Sequence, residues 1–147
     1  MPSTAFLKEL GSAKDAERIR RWFANDAEGN RRLEFYGNPD TWFSLFGQSR
    51  RGWFVVVDEQ PVGLVDMDWS GGVGSIAYYV APEYRGRGYG NESVRLMVEQ
   101  ARTLGLGSLE GDVDPDNAAS IAALRAAGFE LLAFDDEQGM YPVKIML

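Results

Sequence analysis

The residues with the most chemical potential lie between Ile76 and Asn91, reading I-A-Y-Y-V-A-P-E-Y-R-G-R-G-Y-G-N. An apolar run ends at Val80, Pro82 stops it, and Gly86, Gly88 and Gly90 then alternate with Arg87 and Tyr89. From Glu92 the spacing turns helical, with Val94, Met97, Val98 and Ala101 at positions i, i+3, i+4 and i+7. The order is strand, glycine turn, helix. A helix start leaves its first N–H groups unpartnered and carries about half a positive charge. Glycines let that backbone approach a phosphate closely, and Arg85 and Arg87 add charge-assisted donors. The stretch therefore reads as a pyrophosphate cradle, against the plainer alternative of a tight turn with no ligand. Two phosphate motifs fail on spacing. A Walker loop needs Lys-Ser/Thr after its last glycine, and the dinucleotide fingerprint needs G-x-G-x-x-G where this chain has G-x-G-x-G.

Arg85-Gly86-Arg87-Gly88-Tyr89-Gly90, following Val80-Ala81-Pro82, resembles the acyl-CoA loop Arg/Gln-x-x-Gly-x-Gly/Ala of the GNAT-type N-acetyltransferase superfamily. The second half of that family's pattern follows in order: Asn117, a helix through Leu124, then Gly128-Phe129. The resemblance runs from about Gly52 onward. It implies a mixed α/β GNAT fold: a mostly antiparallel central sheet flanked by helices, splayed between two parallel central strands. It also implies acetyl-CoA as co-substrate and a primary amine, small-molecule or protein/peptide, as acceptor. Backbone at Val80, Ala81 and Pro82 would pair with pantetheine, and the loop and helix start from Arg85 through Gly88, Tyr89, Gly90, Asn91, Glu92 and Ser93 would hold the pyrophosphate. Asn117 and Ser120 would contact the cofactor arm, Asn117 doubling as a helix cap. Val80 takes the family's position for the N–H that meets the developing oxyanion. Asp112 stands where some members place a catalytic carboxylate, and Glu110 points the same way by strand period. The family's N-terminal helices wall the acceptor site, which puts Trp22, Tyr36 and Trp42 there, with core packing as the alternative for each.

One departure concerns leaving-group protonation. Many members carry a tyrosine seven residues after the asparagine, and this chain has Leu124. No residue is thereby assigned as acid, and Tyr78, Tyr79, Tyr89 and Tyr141 are each expected to tolerate phenylalanine. The Asn-x-x-Ser arrangement with an apolar residue at 124 is similar to the ribosomal-protein Nα-acetyltransferase branch. Two further readings stay open: a catalytically silent CoA-binding or sensing module, and a structural domain with no cofactor.

The positioning elements follow from pattern. Strands are expected over Ala5 to Leu10, Trp53 to Val57, Val62 to Trp69, Gly74 to Val80, Leu109 to Val113, Phe129 to Phe134 and Tyr141 to Met146. Helices are expected over Lys14 to Ala24, Thr41 to Phe46, from the glycine turn to Leu104, and over Asn117 to Ala127. Asn25 to Asn38 reads as polar and irregular. Gly88 is expected to accept valine structurally if its φ is ordinary, while losing phosphate approach.

At 147 residues, 45% hydrophobic and 25% charged, the chain is expected to be one domain with a full core. It contains no cysteine and no histidine, which excludes disulfides, thiolate nucleophiles, a Ser-His-Asp triad and histidine-ligated zinc. No metal site is expected. The net charge of −7 argues against nucleic acid and anionic membranes and suits a cationic acceptor. The N-terminus lacks a signal-peptide pattern, so a cytoplasmic protein, monomeric or homodimeric, is expected.

Overall fold

The computed structural model describes residues 4–147. Strand β1 (Ala5–Glu9) leads into helix α1 (Ala13–Ala24), whose start is fixed by a capping box between Ser12 and Asp15. Helix α1 buries Ala16, Ile19, Trp22 and Phe23 against the sheet. Two short helices follow, α2 (Ala27–Leu33) and α3 (Pro39–Phe43), separated by a 3-10 turn at Glu34–Gly37. Helix α2 corrects the reading of Asn25 to Asn38 as irregular. Its polar sequence has no apolar stripe, and it forms because Asp26 caps it through Gly29 N–H at 3.0 Å.

Strands β2 (Arg50–Val57), β3 (Gln60–Ser70) and β4 (Val73–Val80) form an antiparallel meander. Helix α4 (Tyr89–Thr103) carries the chain back to β5 (Ser108–Val113), which lies parallel to β4. Helix α5 (Ala118–Ala126) and strands β6 (Glu130–Leu131) and β7 (Tyr141–Met146) complete a seven-stranded sheet of order β1-β2-β3-β4-β5-β7-β6. Strand β6 is shorter than the expected Phe129 to Phe134, because the ladder with β7 holds only the pairs of Glu130 and Leu131, after which Leu132 N–H adds a single bond to Pro142 O at 2.8 Å. Helix α3 is shifted toward Pro39, and α4 begins at Tyr89, in the glycine turn as expected.

The sheet separates two cores. On one face Val65, Met67 and Leu109 pack with Val94 and Met97 of α4 and Leu124 of α5. On the other, Phe54, Leu64 and Tyr79 pack with Ile19, Phe23 and Trp42 from the N-terminal helices. Period-2 alternation along β4 sends Ile76 and Tyr78 to the first face and Tyr79 to the second. On β5 it sends Leu109 and Val113 to the first face, and therefore Glu110 and Asp112 to the second.

The junction of β4 and β5 is short. Only Val73, Gly74 and Ser75 pair, with Ser108, Leu109 and Glu110. Beyond that, β4 runs on to Val80 and β5 to Val113 with a widening gap between them.

Candidate active site

The gap exposes one backbone edge. The register of β3 against β4 is unbroken from Gly63↔Val80 to Ser70↔Val73, and Ala81 N–H donates to Val62 O at 2.8 Å. In an antiparallel ladder, bonded and non-bonded pairs alternate. The backbone groups of Ile76, Tyr78 and Val80 therefore point away from β3, toward the gap. The Val80 carbonyl is taken by Arg85 Nε at 3.0 Å. The Val80 N–H points away from β3, into the opening that Val80 lines. Ala81 is buried with its N–H bonded to Val62, and Pro82 sits exposed in a 3-10 turn. Of the expected Val80 to Pro82 edge, only Val80 faces the cavity.

Beside the gap, Gly88 caps α4 with φ of 82° and no side-chain cap, while Gly86 has φ of 77°. These left-handed conformations favour glycine. The condition on which Gly88 was expected to accept valine, an ordinary φ, is not met, so strain and obstruction would arrive together. Glu92 N–H already bonds to Gly88 O at 3.3 Å, which leaves the N–H groups of Tyr89, Gly90 and Asn91 as the uncapped start of the helix. Val80, Gly88, Gly90, Asn91 and Asn117 line one cavity here, of about 350 Å³. A Cβ on Gly90 would meet nothing closer than the Tyr78 ring at 3.8 Å.

Several expected ligand contacts fall elsewhere. Of the amides expected at the pyrophosphate, Glu92 N–H is already bonded to Gly88 O at 3.3 Å and Ser93 is fully buried within the helix. Glu92 is held by Arg95 at 2.6 Å. Arg85, expected at the phosphate rim, is drawn to Asp26 through bonds of 3.0 and 2.7 Å. Asp26 also accepts from Tyr79 Oη at 2.6 Å and Gly29 N–H at 3.0 Å. Burial opposes ionisation of Asp26, but the bonds from Arg85, Tyr79 and Gly29 outweigh it and hold its pKa at about 2. The rim cation left over is Arg87, lying 5.7 Å over the Tyr84 ring.

The face under the N-terminal helices is organised by a second buried carboxylate. Asp66, 3% exposed, accepts from Trp42 Nε1 at 2.8 Å, Tyr36 Oη at 3.0 Å, and Arg50 Nε and Nη2 at 3.1 and 3.0 Å. This corrects two expectations. Trp42 is fully buried and Trp22 nearly so, which makes both core residues rather than a substrate wall. Tyr36 is half-buried with its hydroxyl turned onto Asp66. The sequence signals for the two carboxylates were present but slight: an apolar strand, V-G-L-V-D-M, interrupted by Asp66, and D-A-E-G marking Asp26 as a cap.

Glu110 and Asp112 border a second opening of about 530 Å³, with Ser75, Ala77 and Asp135. Burial first, then the charges of Asp135 and Glu110, push the Asp112 carboxyl above its ordinary value. Asp112 accepts no hydrogen bond among the described residues, so it is free to take a proton. Tyr78, Asn117 and Ser120 line both openings, and the Tyr78 and Ser120 hydroxyls lie 2.7 Å apart. Asn117 accepts from Ser120 N–H at 3.2 Å, capping α5. Above them Arg32 of α2 reaches Asp114 and Asp116 at 2.7 and 3.0 Å, tying the N-terminal helices to the β5–α5 turn.

Residues 4–130 match the family model described as an acetyltransferase (GNAT) domain. The chain belongs to the GNAT acetyltransferases. Among GNAT relatives, an L-methionine sulfoximine/L-methionine sulfone acetyltransferase of Pseudomonas aeruginosa is 30% identical over 123 residues, covering 73% of this chain and 70% of the relative. An uncharacterized N-acetyltransferase of Bacillus subtilis, YfmK, is 24% identical over 77% of each. Among solved GNAT structures, the spermidine N-acetyltransferase of Vibrio cholerae with CoA and spermine superposes with a TM-score of 0.81 at 16% identity, over 97% of this chain and 95% of that one. The aminoglycoside acetyltransferase AAC(6')-Ib in complex with coenzyme A gives 0.79 at 18% identity, over the same shares. The protein is an acyl-CoA-dependent acetyltransferase with acetyl-CoA as donor. Among the described residues no helix is long and apolar enough to cross a membrane.

Proposed function

We propose that this acetyltransferase moves an acetyl group from acetyl-CoA directly to the primary amine of a small, cationic acceptor. The observation that carries the reading is the opening of the sheet after three β4–β5 pairs, beside the uncapped start of α4. The pyrophosphate would sit on the N–H groups of Tyr89, Gly90 and Asn91, with Arg87 at the rim. Pantetheine would run past Asn117 and Ser120 along the free edge of β4. The thioester carbonyl would meet the Val80 N–H, which strengthens its bond as the oxyanion forms.

The acceptor approaches from the other face, where Asp68, Glu110, Asp112 and Asp135 outnumber Lys144, and Arg50 is neutralised by Asp66. Such a surface attracts an ammonium group. The amine must shed a proton to attack, and Asp112, with a raised pKa, takes it through one water. Glu110 lies farther down the seam and serves as electrostatic support. The small-molecule acceptors named for the Pseudomonas and Vibrio proteins lend this reading weight over a peptide acceptor.

The test is thiol release from acetyl-CoA with polyamines, aminoglycosides, methionine sulfoximine and N-terminal peptides. Turnover of at least one small amine is expected. Turnover of peptides alone would overturn the acceptor class. CoA binding with no thiol release from any amine would leave a silent binding module.

A further inference from the structure

We propose that Tyr78 is the proton donor to the departing CoA thiolate, held in place by Ser120. The proposal rests on the acetyl-CoA binding mode above. The tyrosine ring spans the two helix starts between which the cofactor arm must thread. It lies against Gly90 at the start of α4, and its hydroxyl is 2.7 Å from Ser120 Oγ in the first turn of α5. It borders both openings, so a thioester passing from one to the other passes this hydroxyl. Ser120 and Leu124 are one helical turn apart and share a face of α5. A hydroxyl contributed by β4 at Ser120 therefore occupies the neighbourhood that a tyrosine at position 124 would otherwise reach. This replaces the expectation that Tyr78 tolerates phenylalanine.

The step balances as follows. The amine nitrogen forms a bond to the thioester carbonyl carbon, and its proton leaves through water to Asp112. The C–S bond breaks and its electron pair stays on sulfur. The Tyr78 hydroxyl gives its proton to that sulfur, while Ser120 Oγ–H donates to the phenolate left behind. Solvent reprotonates Tyr78 as CoA leaves. Burial raises the Tyr78 pKa above its ordinary value, which keeps the donor protonated at neutral pH, and the bond from Ser120 acts the other way, favouring the phenolate. Neither the Tyr79 nor the Tyr141 hydroxyl competes: Tyr79 is bonded to Asp26, and Tyr141 lines neither opening.

The experiment compares wild type with Tyr78→Phe and Ser120→Ala by calorimetry and kinetics. Calorimetry uses CoA and its desulfo analogue at pH 9, above the ordinary thiol pKa of ~8.5, where the product is largely thiolate. Wild type is expected to prefer CoA over desulfo-CoA by ~10-fold or more, as a charge-assisted bond provides. Tyr78→Phe should bind desulfo-CoA as wild type does and lose that preference. Its kcat should fall ~10²-fold with KM for acetyl-CoA little changed, as removal of a general acid produces. Ser120→Ala, which keeps the phenol, should lose ~10-fold in kcat, again without a change in KM. If Tyr78→Phe retains the CoA preference and kcat within about threefold, below any general-acid effect, Tyr78 is not the donor. Should Tyr78→Phe fail to fold, Ser120→Ala decides alone: unchanged kcat overturns the proposal. If wild type binds neither CoA nor desulfo-CoA, the acetyl-CoA reading itself fails instead.

Discussion

The two faces of the sheet use opposite materials. The donor side is made of backbone: three N–H groups at the start of α4, left-handed glycines at positions 86 and 88, and the unpaired edge of β4. The face under the N-terminal helices is made of side chains gathered on two buried carboxylates, Asp26 and Asp66, each holding an arginine and a tyrosine. Backbone recognition tolerates almost any side chain, provided the glycines stay. Side-chain recognition fails piece by piece.

The sharpest way to break this contrast is Asp66→Ala. It would leave Arg50, Tyr36 and Trp42 Nε1 unpartnered in a buried place, a loss of about 3–5 kcal/mol. Denaturant unfolding measures it, and Asp66→Asn, which keeps an acceptor oxygen, should lose less. A loss below ~1 kcal/mol would mean that face is not organised by this carboxylate.

Next comes Asp112→Asn, where the two sides meet. We expect kcat/KM at pH 7 to fall ~10²-fold with CoA affinity unchanged. The base works deprotonated, so activity is lost as pH falls through its pKa. That pKa is raised, so the acid limb should lie above 3.8 in wild type and vanish in the variant. Persistence of the limb would hand the role to Glu110.

Asp26 gives a smaller effect with a defined pH window. Its folded pKa of about 2 lies below the ordinary 3.8, so the carboxylate stabilises the fold at neutral pH. That contribution, on the order of 2 kcal/mol, is lost as pH falls below the ordinary value toward the folded one. Asp26→Asn should flatten stability across that window. An unchanged acid slope in the variant would place the acid sensitivity elsewhere.

The smallest change separates binding from stability on the donor side. Gly90→Asp puts its Cβ in ordinary contact with the Tyr78 ring, 3.8 Å away, and its charge at a helix start, so stability should hold or rise by a few tenths of a kcal/mol. Facing a pyrophosphate, the same charge should weaken CoA binding ~10-fold, or ~1.4 kcal/mol. Calorimetry finding equal affinity would remove the phosphate from this helix.

This division also explains what could be read in advance. Gly86, Gly88 and Asn117 announce themselves because each is required by a backbone conformation or a cap, and those requirements are local. Helix α2 escaped because its stability comes from Asp26, Asp114 and Asp116, the last two more than eighty positions away in the chain. Trp22 and Trp42 were expected at a surface because aromatic type alone does not distinguish a wall from a core. Burial decides it, and burial depends on how β3 and α3 meet. Arg85 lines the cavity as expected, but its commitment to Asp26 was not legible for the same reason. Its place in the motif is local, but its partner Asp26 lies at the start of another helix.

The three-pair seam between β4 and β5 has a mechanical meaning as well. A sheet joined across its middle by so few pairs is two plates sharing a short hinge, β1 to β4 on one side and β5 to β7 on the other. The pantetheine arm, lying along the free edge of β4 in the proposed mode, would brace that hinge with the amide bonds the strands do not make. In that mode acetyl-CoA would act as a removable part of the scaffold, stiffening the line where the acetyl group is handed over while it is bound.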